Sequence, residues 1–128
     1  MTYPFLVNFF SIIDTEEKAY WLGFLAADGN VGSNNPVVSI HLSLTDVDHL
    51  SKIRQSLQST HPIKIYNKSC YFTIRSKILT DDLKQYGIVP RKDRIVRAPQ
   101  IDTFFVRHFW RGVIDGDGCL YKRTHQKG

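Results

Sequence analysis

The sequence predicts an α+β fold with one antiparallel sheet. Three observations predict it. A helix near the start is apolar nearly all round, short alternating runs lie between amphipathic helices, and a near-copy of the first helix returns late in the chain. "WLGFLAADG", Trp21 to Gly29, comes back as "WRGVIDGDG", Trp110 to Gly118. With 128 residues and 42% hydrophobic content, the chain can bury one sizeable core.

Asp14 followed by Glu17 resembles a capping box, so the first helix is expected over Thr15 to Asp28, buried on every side. Gly29 is expected to end it in the left-handed conformation, with "NVGSNNP" as a turn. "VVSIHLSL" then alternates as a strand: Val38, Ile40, Leu42 and Leu44 inward, Val37, Ser39, His41 and Ser43 outward. Thr45 is the expected cap of a second helix, Asp46 to Gln58, whose Val47, Leu50, Ile53 and Leu57 form one stripe. Two strands follow, joined by a tight hairpin from Asn67 to Ser69. In "PIKIYNK", Ile63 and Ile65 point inward and Lys64, Tyr66 and Lys68 outward. In "CYFTIR", Cys70, Phe72 and Ile74 point inward and Tyr71, Thr73 and Arg75 outward.

A third helix, Lys77 to Tyr86, stops at Gly87, and "IVPRKDRIVRAP" is a basic, proline-punctuated connector. The next helix starts near Asp102, and "CLYKRTHQKG" after it is expected to form one strand. The order read from the chain is αββαββα, followed by the first helix again. Ile13-Asp14-Thr15 recurs as Ile101-Asp102-Thr103, and Trp21, Gly23, Asp28 and Gly29 recur as Trp110, Gly112, Asp117 and Gly118. The expected organisation is an N-terminal extension (1–13), a first repeat (14–87), a basic linker (88–100), and the helix and first strand of a truncated second repeat (101–128).

Charge and composition narrow the partners. A formal charge of +5 and a sequence pI of about 9.3 favour anionic partners such as nucleic acid. Cys70 and Cys119, expected on separate strands, have neither CxxC spacing nor a disulfide-rich context, which favours a reduced intracellular setting. No apolar run approaches a membrane span, and "MTYPFLVNFFSII" has no basic leader or small-residue cleavage site. The expectation is an intracellular protein, cytoplasmic, nucleoid or organellar, that is not secreted.

Within each copy Gly23 and Ala27, or Gly112 and Gly116, stand four apart and leave one helix face nearly bare. Two such helices can meet backbone to backbone. Asp28 and Asp117 then end them side by side, where the helix dipole disfavours a carboxylate by ~0.3–1 kcal/mol. Paired acids there call for a cation. Mg²⁺, or another hard divalent ion, takes a few carboxylates and leaves its other positions to water and phosphate oxygens. Such an arrangement beside a phosphodiester suits hydrolysis. "DGDG" lacks the third acid and closing glutamate of a calcium loop, and His108 and His125 are too scattered for zinc. Asp115, standing where the first copy has Ala26, reads as a solvent or capping acid.

"LGFLAADG" and "RGVIDGDG" resemble the two signature helices of the LAGLIDADG homing endonuclease family, and "YGIVPRKDRIVRAP" resembles the linker of its two-motif members. The resemblance covers the whole chain. It implies a site-specific double-strand DNA endonuclease of the kind that serves intron or intein mobility, with Asp28 and Asp117 as catalytic metal ligands. It also implies an alternative of the same fold: a non-cleaving DNA- or RNA-binding module, such as a maturase or regulator. A degenerate remnant is a third reading. Two-motif members hold DNA with two sheets, so a missing C-terminal half or a second chain would be needed to complete this one.

The strand pattern points to DNA independently. A sheet packed on helices at one face can lay the other in a major groove. The expected outward set, Ser39, His41, Ser43, Lys64, Tyr66, Lys68, Tyr71, Thr73 and Arg75, can donate to or accept from bases, or contact phosphate.

Overall fold

A computed structural model describes residues 3–125. The first helix, α1 (Glu16–Asp28), begins at Thr15, whose side chain accepts the Lys18 N–H at 3.1 Å while Glu16 and Glu17 face the positive end of the dipole. Asp14 does not cap it; its carboxylate pairs with Lys18 at 2.9 Å instead. Ala19 and every residue from Trp21 to Asp28 are buried, as the all-round apolar pattern requires.

Gly29 departs from the expectation of a left-handed stop. Its φ of −79° and ψ of 149° are extended, and the chain runs straight into a strand, β1 (Gly29–Val31), in a stretch read locally as a turn; β1 is the first of the two strands that the order αββαββα requires there. β1 pairs antiparallel with β2 (Val37–Ser43), which gives its backbone groups partners as soon as the helix ends. A 3₁₀ turn, Leu44–Asp46, follows β2 and precedes α2 (Val47–Ser56). Thr45 therefore lies inside that turn and is not the cap of α2; Asp46 holds the cap position but its side chain makes no capping bond.

β3 (Lys64–Tyr66) and β4 (Ser69–Arg75) form the hairpin, and the four-stranded antiparallel sheet has the order β1-β2-β4-β3. Val38, Ile40 and Leu42 of β2 and Cys70, Phe72 and Ile74 of β4 are buried against the helices. Ile65 was expected among them but is 60% exposed, because β3 is a three-residue edge strand lying beyond the helical cover. Lys68 lies in the β3–β4 turn, not on a strand.

α3 (Lys77–Gln85) is capped by Ser76, whose hydroxyl accepts the Leu79 N–H at 3.2 Å, and it buries Leu79, Thr80 and Leu83. Gly87 follows with φ of +87°, a conformation that a side chain would strain. The N-terminal segment is built into the core rather than appended to it: Phe9, Phe10 and Ile13 are buried, and the Leu6 N–H donates to the Leu57 carbonyl at 2.8 Å.

The late helix departs most from expectation. α4 (Thr103–His125) runs unbroken through Gly116 and Gly118, so Cys119 to His125 are helical where a strand was expected. The remaining residues of that segment, 126–128, lie outside the described residues. A strand needs a neighbour for its backbone groups, whereas a helix satisfies them internally. Among the described residues the strands β1 to β4 pair only with one another. Cys70 and Cys119 are buried free thiols, and among the described residues no helix is long and apolar enough to cross a membrane.

Candidate metal and nucleic-acid site

The site begins at the crossing of α1 and α4, the element pair in most extensive contact. A Cβ on Gly23 would overlap the Phe109 carbonyl, and one on Gly112 would overlap that of Tyr20. A turn further on, a Cβ on Gly116 would come within 2.8 Å of the Ala27 Cβ. The four small residues at this interface thus let two helix backbones touch. Gly118 has open space around it and takes no part.

Asp28 ends α1 fully buried, and neither of its carboxylate oxygens has a hydrogen-bond partner. Two guanidiniums approach Oδ1: Arg123 of α4 at 3.3 Å and Arg91 of the connector at 3.6 Å. Burial pushes the Asp28 pKa up to about 6, Arg123 and Arg91 pull against that shift, and the negative charge of Asp117 adds to it. The two acids are not equivalent: Asp117 is exposed and, because α4 continues to His125, it lies inside its helix and does not end it as expected. Among the described residues no group of three or more metal-ligating side chains occurs.

Arg94 fixes the carbonyl end of α1. Its Nη1 donates to the carbonyls of Leu25, Ala26 and Gly29 at 3.1, 3.1 and 2.8 Å, while Nε and Nη2 donate to the Val89 carbonyl at 2.9 and 2.7 Å. A helix leaves its last carbonyls unpaired, and a planar five-donor cation suits that cluster. The connector is therefore more than a linker. The PRKDR stretch carried the signal, but sequence does not say which carbonyls its arginines meet.

The second element of the site is the uncovered sheet face. Register places Ser39 opposite Thr73, His41 opposite Tyr71, Val37 opposite Arg75 and Lys64 opposite Tyr71, so these share one surface. Tyr66 and the turn residue Lys68 are exposed at its edge. The rings of His41 and Tyr71 stack with centroids 4.3 Å apart. Ser43 was expected on this surface but is 1% exposed, its hydroxyl held 2.9 Å from that of Thr45 where the strand enters the 3₁₀ turn. α4 touches β2 and the turn after it: Nη1 of Arg123 donates to the His41 carbonyl at 2.7 Å, and Lys122 pairs with Asp46 at 3.0 Å.

Asp115 has a role that the sequence did not reveal. It is exposed, as expected of a solvent acid, and it also accepts the Tyr20 hydroxyl at 2.5 Å, while the same oxygen of Tyr20 lies 2.9 Å from Nε2 of His49. Burial, then the bond to Asp115, raises the Tyr20 pKa; burial lowers that of His49. This chain of contacts ties α1, α2 and α4 together on the side away from the sheet. The departure from repeat symmetry, Asp115 where the first copy has Ala26, was the available clue. His108 is buried with Nε2 3.3 Å from Glu16, and the His125 side chain lies outside the described residues.

The class that the fold defines is a mixed helix and strand protein on a four-stranded antiparallel sheet, of the α+β kind. No protein-family model matches the chain, and no curated protein matches it significantly.

Proposed function

We propose that this chain is a LAGLIDADG-type DNA endonuclease unit: a metal-dependent, site-specific enzyme that hydrolyses phosphodiester bonds in double-stranded DNA. The observation that carries the reading is the crossing of two like-sequence helices at Gly23 and Gly112, with Asp28 and Asp117 each next in sequence to a residue of the Ala27–Gly116 contact one turn further on. Buried carboxylate oxygens without hydrogen-bond partners are a donor set that a hard cation would satisfy. Mg²⁺ fits two carboxylates, since it keeps several waters and commonly takes only one or two from the protein.

Asp28 and Asp117 would hold the ion, which supplies Lewis acidity and a lowered pKa for water at the scissile phosphate. Arg91 and Arg123 counter the burial of Asp28 and so favour its ionised form. They also place positive charge where a phosphate would approach. Ser39, His41, Lys64, Tyr66, Lys68, Tyr71, Thr73 and Arg75 would lie along the major groove, the long cations on phosphates and the shorter polar groups on base edges.

A C-terminal continuation or a second chain fits the outer face of α4. Trp110 and Ile114 are 38% and 69% exposed, whereas their counterparts in the first copy, Trp21 and Leu25, are 4% and 2% exposed under the first unit's own elements. A second unit would cover that face and supply the other half-site. The same observation favours a second reading, a DNA- or RNA-binding maturase or regulator that does not cut, since one sheet grips only one half.

The test is a supercoiled plasmid carrying a site selected from random duplexes, incubated with Mg²⁺ and with a second unit supplied. Asp28→Asn and Asp117→Asn are expected to abolish linear and nicked product while changing DNA affinity far less. Tight binding by the unaltered protein without any cutting would decide for the non-cleaving reading.

A further inference from the structure

A cavity of about 390 Å³ opens at the β3–β4 edge of the sheet, lined by Tyr3, His61, Pro62, Lys64, Tyr71, Thr73 and Arg75. That size suits a bound ligand group. Its lining contains no carboxylate. The grooves at Glu17, Trp21 and Lys52 and at Asn34, Lys77 and Asp81 each hold acids that would repel an anion. Here Lys64 and Arg75 bring two full charges, and Tyr3 and Thr73 bring hydroxyls.

The N-terminal segment is fastened at this place. The Thr60 N–H donates to the Pro4 carbonyl at 3.3 Å, and the rings of Tyr3 and Phe5 lie 5.1 and 5.5 Å from that of His61. His61 is itself oriented by Ser59: the Ser59 hydroxyl oxygen accepts the His61 backbone N–H at 2.9 Å and lies 2.6 Å from Nδ1. In the neutral ring, an Nδ1 that accepts from Ser59 leaves Nε2 as a donor. Burial and the nearby Arg54 favour that neutral ring.

We propose that this cavity is a phosphodiester site for a DNA strand running past the edge of the bases that the sheet reads, so that the N-terminal segment as well as the sheet grips the duplex. Lys64 and Arg75 supply charge, and Tyr3 and His61 supply donors around the phosphate oxygens. The site rests on the reading that the sheet face binds double-stranded DNA. It adds Tyr3 and His61, two residues outside the strands, and it carries no base information.

The experiment begins with duplexes selected by the chain from a random-sequence pool. A scan then replaces one phosphate at a time by an uncharged methylphosphonate along the protected tract. One outermost phosphate is expected to weaken binding about tenfold when neutralised, and to matter about threefold or less in His61→Ala and Arg75→Ala. Hydroxyl-radical protection should be lost at that same end in Tyr3→Ala and His61→Ala, with base preference unchanged. The scan on the unaltered chain reads the site even where a variant folds poorly. Uniform responses along the tract, or full-length protection in both variants, would overturn the proposal while leaving the sheet reading intact. A pool that yields no preferred duplex would remove both.

Discussion

Gly23 and Gly112 are reciprocal partners: each faces the carbonyl of the residue three before the other, Phe109 for Gly23 and Tyr20 for Gly112. Neither position has room for a methyl group, because the obstacle on each side is backbone and cannot rotate away. Gly23→Ala and Gly112→Ala are each expected to lower the stability measured by urea unfolding by about 3 kcal/mol or more. Gly118→Ala, in the same helix but in open space, should raise it by up to about 1 kcal/mol. Equal effects at all three positions would show that the contact does not govern the fold.

Arg94→Ala removes five hydrogen bonds to carbonyls at once, three of them at the end of α1. A destabilisation of about 3 kcal/mol is expected from orphaned acceptors and lost charge-assisted bonds. Arg94→Lys should recover only part of it, since an ammonium cannot span both carbonyl groups. Full recovery by lysine would mean that charge alone, and not the fork, holds the helix end.

The depressed pKa of His49 makes stability depend on pH in a defined direction. The unfolded imidazole takes up its proton near about 6.5, before the folded one does. The contribution of neutral His49 is therefore present above that pH and is lost as pH falls through the lower folded value. His61 acts in the same sense, whereas Asp28, raised to about 6, takes up its proton in the folded protein first and works against the decline, so the comparison is between variant and wild type at each pH. Urea midpoints from pH 7.5 to pH 5 should fall less in His49→Gln than in wild type. Parallel declines would place the effect elsewhere.

Binding to a selected duplex is expected to weaken steeply with added salt, because phosphate contacts displace condensed counterions. Arg75→Ala should reduce the slope of log affinity against log salt by about one. A flat response in gel-shift titrations would count against nucleic acid as the partner.

The elements that periodicity could reach were legible. β4 and β2 as far as Leu42 alternate and bury the residues that the alternation assigns, and α1 is buried all round from Trp21 on as its composition requires. What escaped depends on neighbours. Ile65 has the pattern of an inward residue, but inwardness needs something to be inside of, and the edge strand has no cover. Cys119 to His125 could form either helix or strand locally, and the choice falls to whether a partner strand exists. For the candidate site, the repeat brought Gly23, Gly112, Asp28 and Asp117 into view, and the structure places the two glycines against the opposing backbone. Arg91, Arg94 and Arg123 were invisible as site residues because nothing in a basic stretch records the long-range contact each one makes.

The unbroken course of α4 turns the glycine crossing into a fulcrum. Arg123 stands eleven residues beyond Gly112, so about 16 Å of rigid helix separates the point of closest approach from the guanidinium beside Asp28. A tilt of about 10° at the crossing would swing that guanidinium by about 3 Å, comparable to the 3.3 Å separation of its ion pair and the 2.7 Å bond to the His41 carbonyl. The charge around Asp28 is thus mechanically geared to the angle between the two helices, and anything that leans on the outer face of α4 acts on that carboxylate from a distance.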